Sequence, residues 1–179
     1  MHSDQQDQGE TPRMPIHPIR RAGPADVPAI RSAVREAYAH YVERLGRRPA
    51  PMTADYAALV DDGAVWVLEV DGEVAGLIVL RRALDHLLVS NVAVAPAHQG
   101  HGLGRALLGY AEAQARAEAF RELRLYTHEL MHENIALYTR LGWEEYDRGE
   151  HEGFRRVFMR KPVPMLNPKV DRKPHRDTG

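Results

Sequence analysis

One segment of this 179-residue chain carries glycine at every second position, Gly100, Gly102 and Gly104. It runs Val92-Ala93-Val94-Ala95-Pro96-Ala97-His98-Gln99-Gly100-His101-Gly102-Leu103-Gly104-Arg105-Ala106-Leu107-Leu108. An apolar run, a proline stop, a glycine turn and an amphipathic start follow one another. That order reads as strand, tight turn and helix N-terminus. Glycine leaves neighbouring backbone N–H groups unobstructed. The first N–H groups of a helix lack intrahelical partners and sit at the positive end of its dipole. The chemistry this permits is anion binding, phosphate above all. Spacing excludes two phosphate loops. A P-loop requires Gly-Lys-Ser/Thr, but Arg105-Ala106 follow Gly104. A dinucleotide fingerprint requires G-x-G-x-x-G and opens its domain, but Arg105 stands where Gly102 calls for glycine, and the segment is mid-chain.

A second string suggests metal chemistry. His128-Glu129-Leu130-Met131-His132 is a literal H-E-x-x-H. Zinc peptidases need that string inside a helix, so that both histidines share a face. Here Leu123-Arg124-Leu125-Tyr126-Thr127 reads as a strand, and helical periodicity resumes only near Ile135. The string therefore falls in a connection, and no metal is expected. His98 and His101 are three apart but lack a third nearby ligand, and read as turn residues beside a phosphate. The arginine pairs Arg20-Arg21, Arg47-Arg48, Arg81-Arg82 and Arg155-Arg156 read as solvated charge.

Composition narrows the function classes. The net charge is −1, which gives no global basic field for nucleic acid. The chain has no cysteine, which excludes disulfides, thiolate metal sites and a cysteine acyl-enzyme. No apolar run reaches the ~18 residues a membrane span needs, and the first fifteen residues contain no signal-like apolar stretch. A cytoplasmic protein without membrane or nucleic-acid partners is expected.

The positioning elements follow from periodicity. Residues 1–15 and 164–179 read as flexible tails around one domain spanning 16–163. Ile16 to Arg21 reads as a strand. Asp26 to Leu45 carries helical spacing, and Gly46 to Pro51 breaks it. Thr53 is placed to cap a short helix through Val60. Ala64 to Val70 and Glu73 to Leu80 form a hairpin around Asp71-Gly72. Leu87 to Val94 reads as a strand buried on both faces. The helix from Leu103 carries a stripe of Leu103, Ala106, Leu107, Tyr110, Ala113, Gln114 and Ala117. Then come a strand Glu122–Thr127, a helix Asn134–Leu141 stopped by Gly142, and strands Trp143–Glu150 and Phe154–Lys161.

Gln99-x-x-Gly102-x-Gly104 after Val-x-Val resembles the acetyl-CoA pyrophosphate loop of the GNAT N-acetyltransferases. The element order, and Asn134-Ile135-Ala136-Leu137-Tyr138-Thr139-Arg140-Leu141-Gly142-Trp143, resemble the same family across residues 17–162. Asn91-Val92-Ala93-Val94, Met131-x-Glu133-Asn134 and Gly153-Phe154 resemble small bacterial acetyltransferases of poorly defined substrate. The resemblance implies an α/β (α+β) GNAT fold, a mixed central sheet of about seven strands flanked by about four helices.

It also implies an acetyl-CoA-dependent N-acetyltransferase in which a primary amine attacks the thioester directly. Acetyl-CoA would lie against Val92, Ala93 and Val94, the loop Gln99, Gly100, His101, Gly102, Leu103, Gly104, Arg105 and Ala106, and Asn134, Tyr138 and Arg140. Tyr138 would be the catalytic donor to the leaving thiolate. The helical segment Tyr38–Tyr56, with Tyr38, Tyr41, Met52 and Asp55, would face the acceptor, as would Asn91 and Glu129. Asp85, His86, Glu129 and Glu133 stay open as general bases. The acceptor, a small-molecule or peptide amine, stays open too, as does a homodimer. A non-catalytic acyl-CoA-binding module is the main alternative, and a zinc peptidase the remote one.

Overall fold

The computed structural model describes residues 17–165. Both proposed tails fall almost wholly outside that range, as does Ile16. The elements are β1 (Ile19–Arg21), α1 (Val27–Leu45), α2 (Tyr56–Asp61), β2 (Val65–Val70), β3 (Glu73–Arg82), β4 (Leu87–Val94), α3 (Leu103–Ala117), β5 (Glu122–His128), α4 (His132–Arg140), β6 (Glu144–His151) and β7 (Phe154–Pro162). Seven strands form one sheet in the order β1-β2-β3-β4-β5-β7-β6. Every neighbouring pair is antiparallel except β4 and β5. This is the mixed sheet with four helices that the family resemblance implied.

Period-two alternation divides the core between the two faces of the sheet. Val65, Val67, Leu77 and Val79 pack with α1 and α2 on one face. Trp66, Leu68, Ile78 and Leu80 pack with α3 on the other. The hairpin turns Asp71-Gly72 and Glu152-Gly153 have positive φ at both positions, as a type I′ connection requires. β6 is exposed along its whole length and carries Glu144, Glu145, Asp147, Arg148 and Glu150. Such charge discourages pairing at a sheet edge.

Three local expectations need correction. Asp55, not Thr53, caps α2, because its carboxylate accepts from the Ala58 N–H at 3.2 Å. The buried face of α3 is Leu103, Leu107, Leu108, Ala111 and Ala115, whereas Ala106, Ala113 and Ala117 are exposed. Alanines at several helical positions carry little directional signal, and the bulkier leucines set the rotation. β4 is not buried on both faces. Its residues alternate buried and half-buried, because the sheet opens beside Val92 and Val94.

Gly76 fixes how closely α3 seats on the sheet. A Cβ there would lie 2.9 Å from the Ala93 carbonyl oxygen and 3.2 Å from Leu107 Cδ1. Any larger residue would push α3, and the glycine loop that starts it, away from β4.

Candidate active site

The site begins where β4 and β5 part. β4 pairs with β3 as far as Val94, but with β5 only through Leu87–Val89 opposite Leu123–Leu125. Ser90 is an extra residue in the β3–β4 ladder, since Leu80 faces Val89 and Val79 faces Asn91. A bulge of this kind bends its strand. From Ser90 to Val94 the edge of β4 toward β5 has no ladder, while β5 goes on pairing with β7 to His128. The result is a wedge whose β4 wall has no partner strand, with the Val92 carbonyl met by the Tyr38 hydroxyl at 3.3 Å.

Two cavities meet in the wedge. One is a cleft bounded by Val92, Ala93, Val94, His98, Gln99, Gly100, Gly102, Leu103, Gly104, Arg105, Glu133, Asn134, Leu137, Tyr138 and Arg140, with Ala37, Tyr38, His40 and Tyr41 from α1. Gly100 and Gly102 have φ of +80° and +79°, a region L side chains rarely adopt. Gly102 is the N-cap of α3 and, among the described residues, no side chain caps that terminus. Gly104 lies in the helix, where a Cβ would touch only Val94 Cγ2, at 4.0 Å. The Gln99 amide donates to the Val94 carbonyl at 2.9 Å, so its side chain braces the loop against β4. Arg105 and Arg140 are exposed on the cleft.

The second cavity is apolar. Leu45, Pro49, Ala50 and Pro51 form one side, Val89 and Leu125 the sheet wall, and Met131 and Phe154 the far side. Tyr38, Val92, Asn134 and Tyr138 border both cavities. A chain of hydrogen bonds ties this junction together. The Tyr38 hydroxyl donates to Asn91 Oδ1 at 2.7 Å, Asn91 Nδ2 donates to Tyr56 Oη at 3.0 Å, and the Tyr56 hydroxyl donates to the Pro51 carbonyl at 2.8 Å. Asn91 is thus buried with its amide satisfied, as a buried polar group requires. On the cleft side Arg44 grips Glu133 through both guanidinium arms, at 2.8 and 2.9 Å, and joins α1 to the start of α4.

Tyr138 sits at the junction. Its ring is buried against Trp143, with centroids 6.1 Å apart. Its hydroxyl has no hydrogen-bond partner among the described residues, and both cavities reach this side chain. Burial pushes the phenol well above its ordinary value, and the nearby Tyr41 adds to this. The group is therefore a neutral O–H donor throughout the physiological range. Tyr41 is also pushed up, to about 12, by burial and then by Glu133. The Arg44 hydrogen bonds hold Glu133 down at about 2, which makes it a weak proton acceptor.

Several expected site residues lie elsewhere. Met52 packs against the core under α1, and Asp55 is occupied in capping α2, so neither borders a cavity. Glu129 pairs with Arg155 at 2.6 Å, away from both cavities. Asp85 and His86 pair with each other at 2.7 Å in the β3–β4 turn, at the closed end of β4. His101 and Ala106 are exposed outside the cleft lining. His128 ends β5 and His132 begins α4, so the H-E-x-x-H string bends between elements and its histidines share no helix face. Arg156 reverses an expectation. It is 5% exposed, on the inward side of β7, and borders the apolar cavity. Its position midway between Phe154 and Phe158 on one face of β7 is the signal the sequence offers.

Similarity to known proteins agrees with this geometry. Residues 28–143 match the model of the Acetyltransferase (GNAT) family. The chain is 32% identical to YjgM of Escherichia coli (strain K12), described as an uncharacterized N-acetyltransferase, with 76% of this chain and 86% of that protein covered. Solved structures share the fold. The Escherichia coli ribosomal-protein-S18-alanine N-acetyltransferase superposes with a TM-score of 0.66 at 24% identity, covering 87% of this chain and 99% of the other. The PaiA N-acetyltransferase of Thermoplasma acidophilum, in complex with coenzyme A, gives 0.68 at 19%, covering 82% and 99%. N-acetylglutamate synthase of Neisseria gonorrhoeae, complexed with coenzyme A and N-acetyl-glutamate, gives 0.67 at 18%, covering 85% and 36%.

Proposed function

The chain belongs to the GNAT acetyltransferase family, and we propose that it moves an acetyl group from acetyl-CoA directly onto a primary amine. The observation that carries this reading is the wedge beside β4, with a partnerless phenol where its two cavities meet. The cleft suits the coenzyme and the apolar cavity suits the acceptor.

The residues fit a bound acyl-CoA. The open edge from Ser90 to Val94 offers main-chain N–H groups to an extended amide-bearing arm, as an added strand would use them, while the Val92 and Val94 carbonyls are held by Tyr38 and Gln99. The turn Gly100–Gly102 and the uncapped start of α3 offer N–H donors to a diphosphate, with Arg105 and Arg140 adding positive charge. Bound acetyl-CoA supplies the thioester: the ammonium form of the acceptor loses one proton, the free amine nitrogen bonds to the thioester carbonyl carbon as the carbon–sulfur bond breaks, and a second nitrogen proton passes to sulfur, giving an amide and CoA thiol.

Tyr138 donates its O–H toward the departing sulfur. A free thiol has a pKa near 8.5, below this buried phenol. The donation is therefore a hydrogen bond that strengthens as charge develops on sulfur, and a proton released from nitrogen completes the thiol. No carboxylate borders the apolar cavity, and Glu133 in the cleft is already stabilised as an anion. His128 also borders the apolar cavity, but its Nδ1 already accepts the Leu130 N–H at 3.1 Å, so the neutral ring carries its proton on Nε2 and has no free lone pair to offer. Loss of the ammonium proton accordingly falls to water.

The test is thiol release from acetyl-CoA across a panel of primary amines, with mass spectrometry of the products. The expected result is amine-dependent release, intersecting initial-rate lines and no acetylated protein when the amine is left out. An acetyl group trapped on the protein would contradict direct attack. Tight acetyl-CoA binding with no turnover on any amine would identify a non-catalytic acyl-CoA-binding module.

A further inference from the structure

The apolar cavity has one charged residue in its lining, and that residue is a buried cation. The Arg156 side chain is 6% exposed. Its guanidinium lies over the Tyr126 ring at 4.1 Å and near the Phe154 ring at 5.9 Å. Nη1 meets His151 Nδ1 at 2.8 Å, and Nη2 donates to Glu152 at 2.8 Å. Nε has no partner among the described residues. The Glu152 side chain is 68% exposed, so water screens its charge, while the arginine is shielded from water. Arg156 is therefore only partly neutralised: both terminal nitrogens are engaged, and the edge that carries Nε is left for a ligand. Burying a charge costs free energy unless it is paired, and a buried charge in a cleft is a mark of a binding site.

The rest of the lining sharpens the chemistry. Leu45, Pro51, Met131 and Phe154 are apolar. A site for a polyamine or another polycation would place carboxylates there, and none borders this cavity. We infer that the acceptor of the proposed transfer is a small amino acid-like amine with an apolar body, whose carboxylate is taken by Arg156. Arginine offers a planar pair of donors that matches a carboxylate. The cavity walls cover the apolar body, and the amine points back toward the junction at Tyr138. The inference rests on the acetyltransferase reading for its chemistry, but the cavity's preference for a carboxylate can be measured without turnover.

Leucine, methionine and phenylalanine are compared with their carboxamides and with the matching amines that lack the carboxyl group. Transfer is followed by thiol release. Binding is followed by calorimetry of the N-acetylated forms of the same compounds in the presence of CoA. A hydrogen bond to a charged partner is typically worth about 1.5–3 kcal/mol, so the carboxylates should be favoured at least about tenfold in kcat/KM and in affinity. In Arg156→Gln the preference should fall below about threefold, with acetyl-CoA affinity unchanged. Arg156→Lys, which keeps the charge and loses the fork, should fall between. Carboxamides or carboxyl-free amines that bind and react as well as the acids would overturn the inference, as would a preference that survives in folded Arg156→Gln. Failure to bind any acid would also overturn it. Transfer to the carboxyl-free amines alone keeps the acetyltransferase and removes this acceptor class. Tight binding of the acids without transfer to any amine does the reverse. The wild-type comparison stands even if Arg156→Gln fails to fold.

Discussion

The two cavities that meet at Tyr138 are built of different material. The cleft is mainly backbone: the open edge of β4, two left-handed glycines and the first turn of α3. The apolar cavity is side chains drawn from α1, the loop before α2, β4, β5, the start of α4, and β7. A backbone site presents N–H groups whatever its neighbours are, and loses them only when a Cβ blocks the approach. A side-chain site changes its preference with one substitution. One surface is thus suited to a constant partner and the other to a partner that differs between relatives.

Substitutions can break or sharpen that contrast. Tyr138→Phe acts where the cavities join, and should cost the most. It removes only a hydroxyl, so turnover should fall by roughly a hundredfold, the upper part of what a hydrogen bond to a charged partner is worth. Acetyl-CoA affinity and thermal stability should stay near wild type. A fall in stability without a fall in turnover per folded molecule would make Tyr138 a core aromatic. Gly104→Val tests the backbone cavity. The protein has room for that Cβ beside Val94, so the fold should hold while acetyl-CoA affinity drops about tenfold to a hundredfold. Gly102→Val is a poorer probe, because its φ of +79° would strain the chain itself.

Asn91→Ala tests the side-chain cavity. It leaves the Tyr38 and Tyr56 hydroxyls without their shared partner. A loss of about 1–3 kcal/mol in stability and a raised acceptor KM are expected, with acetyl-CoA binding little changed. An equal loss of acetyl-CoA affinity would mean that the cavities are not separable. The smallest effect concerns acid. Glu133 is held at about 2, against an ordinary value of 4.5. Its pairing with Arg44 therefore stabilises the fold above pH 4.5, and that contribution is lost as pH falls toward 2. The pair is exposed, so the effect is modest. Melting curves of wild type and Glu133→Gln should converge across that window.

The same contrast decides what could be read from the sequence. Gly100, Gly102 and Gly104 sit within one short segment, and their spacing announces a backbone cradle before any fold is known. The two-residue turns and the helix stop at Gly142 are equally local, and the β2–β3 and β6–β7 pairings follow from the turns. The apolar cavity has no local signature. Arg156 looks like half of a surface pair until β7 is paired to β5 opposite His128 and its inward side is set. Asp55 and Met52 sit in the right segment, but capping and core packing claim them. Gly76 matters only because α3 crosses it, a contact between residues 31 positions apart in the chain (Gly76 and Leu107).

The central claim is that acetyl-CoA lies along the open edge of β4 and over the start of α3. Amide hydrogen exchange with and without acetyl-CoA tests it directly. Slowed exchange should be concentrated in residues 90–94 and 99–105, with a smaller change in α4 where it borders the cleft and little change in β2 or in the β6–β7 hairpin. Protection that falls elsewhere, or none at saturating acetyl-CoA, would contradict the account.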